Sequence, residues 1–138
     1  AHGFDVDVPH WWGPGPAGSY VAPWKFPDEL DFDPATPNEH IEDRMATEAI
    51  SFIEKNTDKP FFLNFAPYAI HAPIMANKKY LANYERLDPR EAAYATLIES
   101  MDAALGATVE RLKKLGIIDN TIIIKKTNII RITNFYFF

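Results

Sequence analysis

Four histidines, nineteen carboxylates and no cysteine are the titratable side chains from which this 138-residue chain could assemble acid–base, nucleophilic or metal chemistry. One of them, His71, has a distinctive position. It is delivered by Lys59-Pro-Phe-Phe-Leu-Asn-Phe-Ala-Pro-Tyr-Ala-Ile-His-Ala-Pro73, an apolar run opened by a proline and closed by Pro67. Such a run predicts a strand at Phe61–Phe65 buried on both faces, as in a parallel sheet. His71 then stands just past the carboxyl end, the edge of an open α/β sheet where ligands bind. An imidazole there could exchange a proton with a substrate, although one that only hydrogen-bonds a loop carbonyl fits the same pattern.

Other charged residues carry weaker claims. Glu42, Asp43 and Glu48 suggest a metal, but on an amphipathic helix they are expected to be solvated charges. Asp102 is expected to face inward from a helix and to pair with buried donors. Lys25 could attract an anionic substrate, and a stem laid over Trp24 explains it equally well. The absence of cysteine removes disulfides, thiolate metal sites and any cysteine-derived nucleophile from these residues.

The elements that must hold His71 follow from periodicity. Ala46, Ala49, Ile50 and Ile53 recur at helical spacing, predicting a helix over 41–56 that Asn56-Thr-Asp58 breaks. Tyr94, Leu97, Ile98, Met101, Leu105, Val109 and Leu112 predict a second helix. It would be capped by Asp88-Pro89, carry Lys113 and Lys114 at its negative end, and stop at Gly116. Thr121–Ile124 is a short β-branched strand, so strand, helix and strand form a βαβ unit with parallel strands.

The flanks differ in character. Seven of the eleven prolines lie in the first 37 residues, beside Gly13, Gly15 and Gly18, yet Trp11, Trp12, Tyr20, Trp24 and Phe26 make this segment an ordered wrapping loop. Its aromatic side chains could stack on sugar rings or form a small core that pins the loop. Lys125, Lys126 and Arg131 give residues 125–138 a charge of +3 with no acid, so residues 1–124 carry −8 of the net −5. This tail has no proline or glycine, is β-prone enough for a terminal hairpin, and is expected to be foreign to a finished fold.

Composition bounds the whole. With 47% hydrophobic residues the chain can bury a core, and one domain or part of one is expected. Net acidity argues against nucleic acid or an anionic membrane as the main partner. No run approaches a transmembrane length, and the start lacks both a signal-peptide pattern and an initiator methionine, so a processed product or fragment is expected.

Several segments, in order, resemble the sulfatase family of the alkaline phosphatase superfamily. They are His2-Gly-Phe-Asp5, Gly13-Pro-Gly-Pro-Ala-Gly-Ser-Tyr20 with Ala22-Pro-Trp24, Glu42-Asp-Arg44 with Glu48-Ala-Ile50, Lys59-Pro-Phe-Phe-Leu63, His71-Ala-Pro73, Tyr94 with Met101-Asp102, and Leu115-Gly116 through Asp119-Asn-Thr-Ile122. The resemblance implies an α/β fold, part of an alkaline-phosphatase-like sandwich with a mostly parallel sheet flanked by helices. It also implies sulfate ester hydrolysis by a formylglycine, made from Cys or Ser in a Cys/Ser-x-Pro-x-Arg motif, with a divalent cation, usually calcium. His71 matches the histidine that contacts sulfate and protonates the leaving alcohol. His10, beside Trp11 and Trp12, would line the substrate pocket. A sulfated small molecule or glycan is the implied partner, and a periplasmic, secreted or lysosomal location the implied setting.

The departures are equally specific. The nucleophile motif, the first metal-binding aspartates and the Lys-x-His motif lie upstream in the family and are absent here. Where the family continues Phe-Thr-Ser-Asp-Asn-Gly after the strand matching Thr121–Ile124, this chain has Lys125-Lys-Thr-Asn-Ile-Ile130. Asp119-Asn120 precedes that strand and is not its equivalent. The expectation is therefore an internal fragment, residues 1–124, comprising a loop region over 1–40 and helix, strand, helix and strand over 41–124. It would be followed by an out-of-frame tail over 125–138, would have no assignable metal ligand, and would be inactive alone. A phosphodiesterase or phosphonate hydrolase of the same superfamily, and a non-catalytic carbohydrate-binding domain, are the alternatives.

Overall fold

The computed structural model describes residues 3–9, 15–27, 32–34, 36–126 and 129–134, the last six and Lys126 by their backbone. His10, Trp11, Trp12 and Gly13 lie outside the described residues, and so does the pocket role expected of His10.

Helix α1 spans Ile41–Lys55 and strand β1 spans Phe61–Phe65, followed by a 3-10 turn at Leu81–Tyr84 and helix α2 at Pro89–Lys114. A second 3-10 turn, Ile118–Asn120, leads into strands β2 at Thr121–Lys126 and β3 at Ile129–Asn134. The ends of α2 obey local chemistry. Asp88 accepts from the Arg90 N–H at 2.9 Å, Pro89 takes the position that needs no donor, and Gly116, at φ 71°, ends the helix in the left-handed region. The Ile117 N–H then closes the cap on the Leu112 carbonyl.

The sheet differs from the expected parallel arrangement. Its order is β1-β3-β2, and both neighbouring pairs are antiparallel. The cause is the short connection after β2: two residues can only return the chain antiparallel, and the returning strand, which belongs to the tail expected to be foreign to the fold, instead enters between β1 and β2 as the central strand. Strands β1 and β2 therefore run in the same direction, as a βαβ unit requires, but each pairs with β3 instead of the other. Phe65 and Lys125 share one row through Ile130.

Nor is β1 buried on both faces. Phe61 and Phe65 enter the core, whereas Phe62 is 45% exposed and Asn64 is exposed. Helices cover one face, where Ile41, Met45, Ala46, Ala49, Ile53, Leu97, Ala104 and Leu112 join those phenylalanines. On the other face Phe62, Ile122 and Ile124 remain exposed, Phe62 with Phe4 stacked at 6.0 Å.

Helix α2 is also turned from its expected face. Its buried stripe is Ala92, Thr96, Leu97, Ser100, Ala104, Thr108 and Leu112, while Tyr94 and Ile98 are exposed. Small residues allow a close approach to α1. The hydroxyls of Ser100 and Thr108 satisfy themselves on carbonyls one turn back, at 2.7 and 2.9 Å. Asp102 lies on the exposed side and has no inward partner to serve.

Candidate functional site

His71 stands at the expected edge, six residues past the end of β1, and its side chain is exposed. The strand's apolar residues fix one end of this segment and a set of polar anchors fixes the rest. The His71 N–H donates to the Tyr68 carbonyl at 3.2 Å, which closes a turn. Tyr20, fully buried, directs its hydroxyl at two carbonyls of the same turn, Tyr68 O at 2.6 Å and His71 O at 2.9 Å.

The glycine-containing loop touches the turn directly. A Cβ placed on Gly15 would lie 3.5 Å from Ala72 O and 3.7 Å from His71 Cβ, so this close approach has room for little beyond a methyl group. Ser19 Oγ adds a weak contact to Met75 Sδ at 3.6 Å. After the turn, Asn77 locks the chain onto the helices. Its N–H donates to Thr96 Oγ1 at 3.0 Å, its Nδ2 to Asp43 Oδ2 at 3.1 Å and Ser100 Oγ at 3.0 Å, and its Oδ1 accepts from the Lys79 N–H.

Beneath the turn lies Glu42, expected at the surface but fully buried. Its Oε1 accepts from the Ala69 N–H at 2.6 Å. Burial pushes its carboxyl up to about 7 against the opposing pull of the Ala69 and Tyr68 backbone N–H groups, with the Asp43 charge adding to the rise. Among the described residues no full hydrogen bond reaches Oε2. His40, the N-cap of α1, accepts from the Glu42 N–H at 3.3 Å through Nδ1 and stacks on Tyr20 at 5.5 Å. Its burial lowers the imidazole to about 4, more than Asp43 and the Met75 carbonyl raise it, so it is neutral at pH 7. Desolvation, then the Glu42 carboxylate, raise both Tyr20 and Tyr68 well above the ordinary phenol range.

Trp24, Phe26, Phe32 and Tyr68 contact one another at centroid distances of 5.3 to 6.4 Å, forming an aromatic core that ties the loop to the turn. Arg44 covers Phe32 at 4.8 Å. The Lys25 stem passes over Gly18, where an added Cβ would meet its Cδ at 3.2 Å. Asp43 pairs with Lys79 at 3.3 Å, and Glu48 with Arg44 at 2.8 Å. A depression of about 330 Å³ opens between Val21, His40, Asp43, Asn77 and Lys79, and His71 does not line it.

Among the described residues no three His, Asp or Glu side chains come together as cation ligands. Lys125 and Lys126 continue β2 where the resemblance expects Phe-Thr, and the two positions it gives to Asp and Asn carry Asn128, outside the described residues, and Ile129. The described residues therefore do not fit the implied calcium ion.

The sulfatase family model matches residues 6–125. The chain is 32% identical over 80 residues to steryl-sulfatase of Rattus norvegicus, covering 58% of this chain and 13% of that protein. It is 28% identical over 100 residues to N-acetylgalactosamine-6-sulfatase of Homo sapiens, covering 72% and 18%. With the enzyme of that name from Rattus norvegicus it shares 29% over 140 residues, covering 88% and 25%. The chain thus spans a quarter or less of the length of these curated relatives. With most of its residues inside the family match, and with the histidine turn at the carboxyl edge of its sheet, this chain belongs to the sulfatase family.

Proposed function

We propose that this chain is an internal part of a sulfate ester hydrolase and presents His71 to the sulfate group. The observation that carries the reading is an exposed imidazole on a turn fixed from several sides, by Tyr20, Glu42 and Gly15, within a family match over residues 6–125. A side chain so held can meet a sulfate oxygen and give a proton to the departing alcohol. Alkoxides are poor leaving groups, and proton donation of this kind typically contributes about a hundredfold or more. His10 would join it in the substrate pocket, on the strength of the resemblance.

In this reading the nucleophile, a formylglycine, and the calcium ligands come from residues outside the chain. Residues 125–138 are a tail out of register with the family, which the end of the match at residue 125 supports. The complete protein would act on a sulfated small molecule or glycan in a periplasmic, secreted or lysosomal setting. The test is an assay of the 138-residue chain and of the complete gene product against an aryl sulfate and an aryl phosphodiester. Sulfate turnover by the complete product alone is expected. Preferential phosphodiester cleavage, or sulfate turnover by the 138-residue chain, would overturn the reading.

A further inference from the structure

We infer that Glu42 is the positioning residue for His71, acting from beneath the turn through the Ala69 N–H while Tyr20 restrains the carbonyl side. This inference rests on the reading of His71 as the substrate-facing group. The geometry supports it in three ways. Glu42 sits at the start of α1, whose N-cap His40 accepts from its N–H, so its backbone is fixed by the helix. Its carboxyl accepts at 2.6 Å from Ala69, two residues before His71, and so transmits the helix position to the turn. Tyr20 fixes Tyr68 O and His71 O, leaving the turn clamped at residues 68, 69 and 71 by two fully buried side chains.

The state of that carboxyl is also legible. Oε1 accepts from the Ala69 N–H, the Tyr68 N–H also faces the carboxyl, and among the described residues Oε2 is buried without a full hydrogen bond, so a proton can sit on Oε2 while Oε1 keeps accepting. A neutral carboxyl and a glutamine amide can therefore hold Ala69 alike, whereas alanine cannot. The titratable groups around Glu42 are His40 and Asp43 at the head of α1, Tyr20 from the loop, and Tyr68 in the turn, itself near Asp7. Burial keeps both tyrosines protonated and His40 neutral at pH 7, leaving Glu42 as the group whose titration Ala69 should report.

The experiment follows the Ala69 amide and the His71 ring by NMR in the full 138-residue chain, with inorganic sulfate as the probe. In the parent, the Ala69 amide should titrate with a midpoint near 7, and the His71 ring should shift on adding sulfate. Glu42→Gln should abolish the Ala69 titration and retain the sulfate response. Glu42→Ala should lose the hydrogen-bonded Ala69 shift and weaken the sulfate response about tenfold, the effect of one lost hydrogen bond. If Glu42→Ala does not fold, Tyr20→Phe gives the second arm: it should leave the Ala69 titration intact while weakening the sulfate response. An Ala69 shift indifferent to both Glu42 variants, or a Tyr20→Phe chain with an unchanged response, overturns the positioning role. A Glu42-dependent Ala69 shift with no His71 response to sulfate in the parent instead refutes the reading of His71.

Discussion

Two buried groups at the head of α1 have opposite pH behaviour. Glu42 is raised from 4.5 to about 7, so its contribution favours the fold at low pH and is lost as pH rises through that window. His40 is lowered from 6.5 to about 4, so its contribution is present above 6.5 and is lost as pH falls toward 4. Each spans on the order of 3 kcal/mol, and between pH 4.5 and 6.5 they offset each other. Glu42→Gln should therefore give a chain whose stability climbs with pH across that interval. His40→Asn, which keeps an N-cap acceptor, should give one whose stability declines. Urea midpoints at four pH values from 4.5 to 7.5 check this, and parallel curves for the two variants would contradict it. The burial of Glu42 was present in the sequence as spacing, because positions 42, 46, 49 and 53 form one helical stripe. Its charge concealed it, since a carboxylate is normally placed on the solvent side. Tyr20 gave no such signal, because its partners are carbonyls 48 and 51 residues away.

At the scale of elements, caps were legible and facings less so. Asp88, Pro89, Lys113, Lys114 and Gly116 mark the ends of α2 by local chemistry, and local chemistry survives folding. Gly116→Ala should cost about 1 kcal/mol, read from thermal unfolding, because an L side chain resists positive φ. The buried stripe of α2 escaped prediction because Thr96, Ser100 and Thr108 are not apolar, yet their hydroxyls are satisfied within the helix and their small size admits α1. Ala104→Leu should overpack that contact and lose roughly 1–3 kcal/mol, whereas Asp102→Ala, on the exposed side, should stay within about 0.5 kcal/mol. Asn77→Ala removes three side-chain hydrogen bonds among partly buried groups. It should lose about 2 kcal/mol or more by urea denaturation, and an unchanged midpoint would show that the segment after His71 is held otherwise.

At the scale of the molecule, the parallel sense of β1 and β2 followed from the helix between them. Their pairing did not, because it depends on the strand that β3 inserts between them. The helix-free face of the sheet leaves Phe62, Ile122 and Ile124 about half exposed in one region, together with Phe4. Apolar patches of this kind drive association. The 138-residue chain should therefore self-associate in size-exclusion chromatography with light scattering, and Ile122→Lys with Ile124→Lys should shift it toward monomer; a dilute monomer in the parent would contradict this. The whole arrangement serves one proposed end, a proton delivered from His71 to a departing alcohol. The most direct test compares His71→Ala with the parent in the complete gene product, using an alkyl sulfate, whose leaving alkoxide needs a proton, and 4-nitrophenyl sulfate, whose phenolate does not. In His71→Ala, kcat should fall about a hundredfold or more on the alkyl ester and far less on the aryl ester; equal losses on both substrates, or none, would contradict proton delivery from His71.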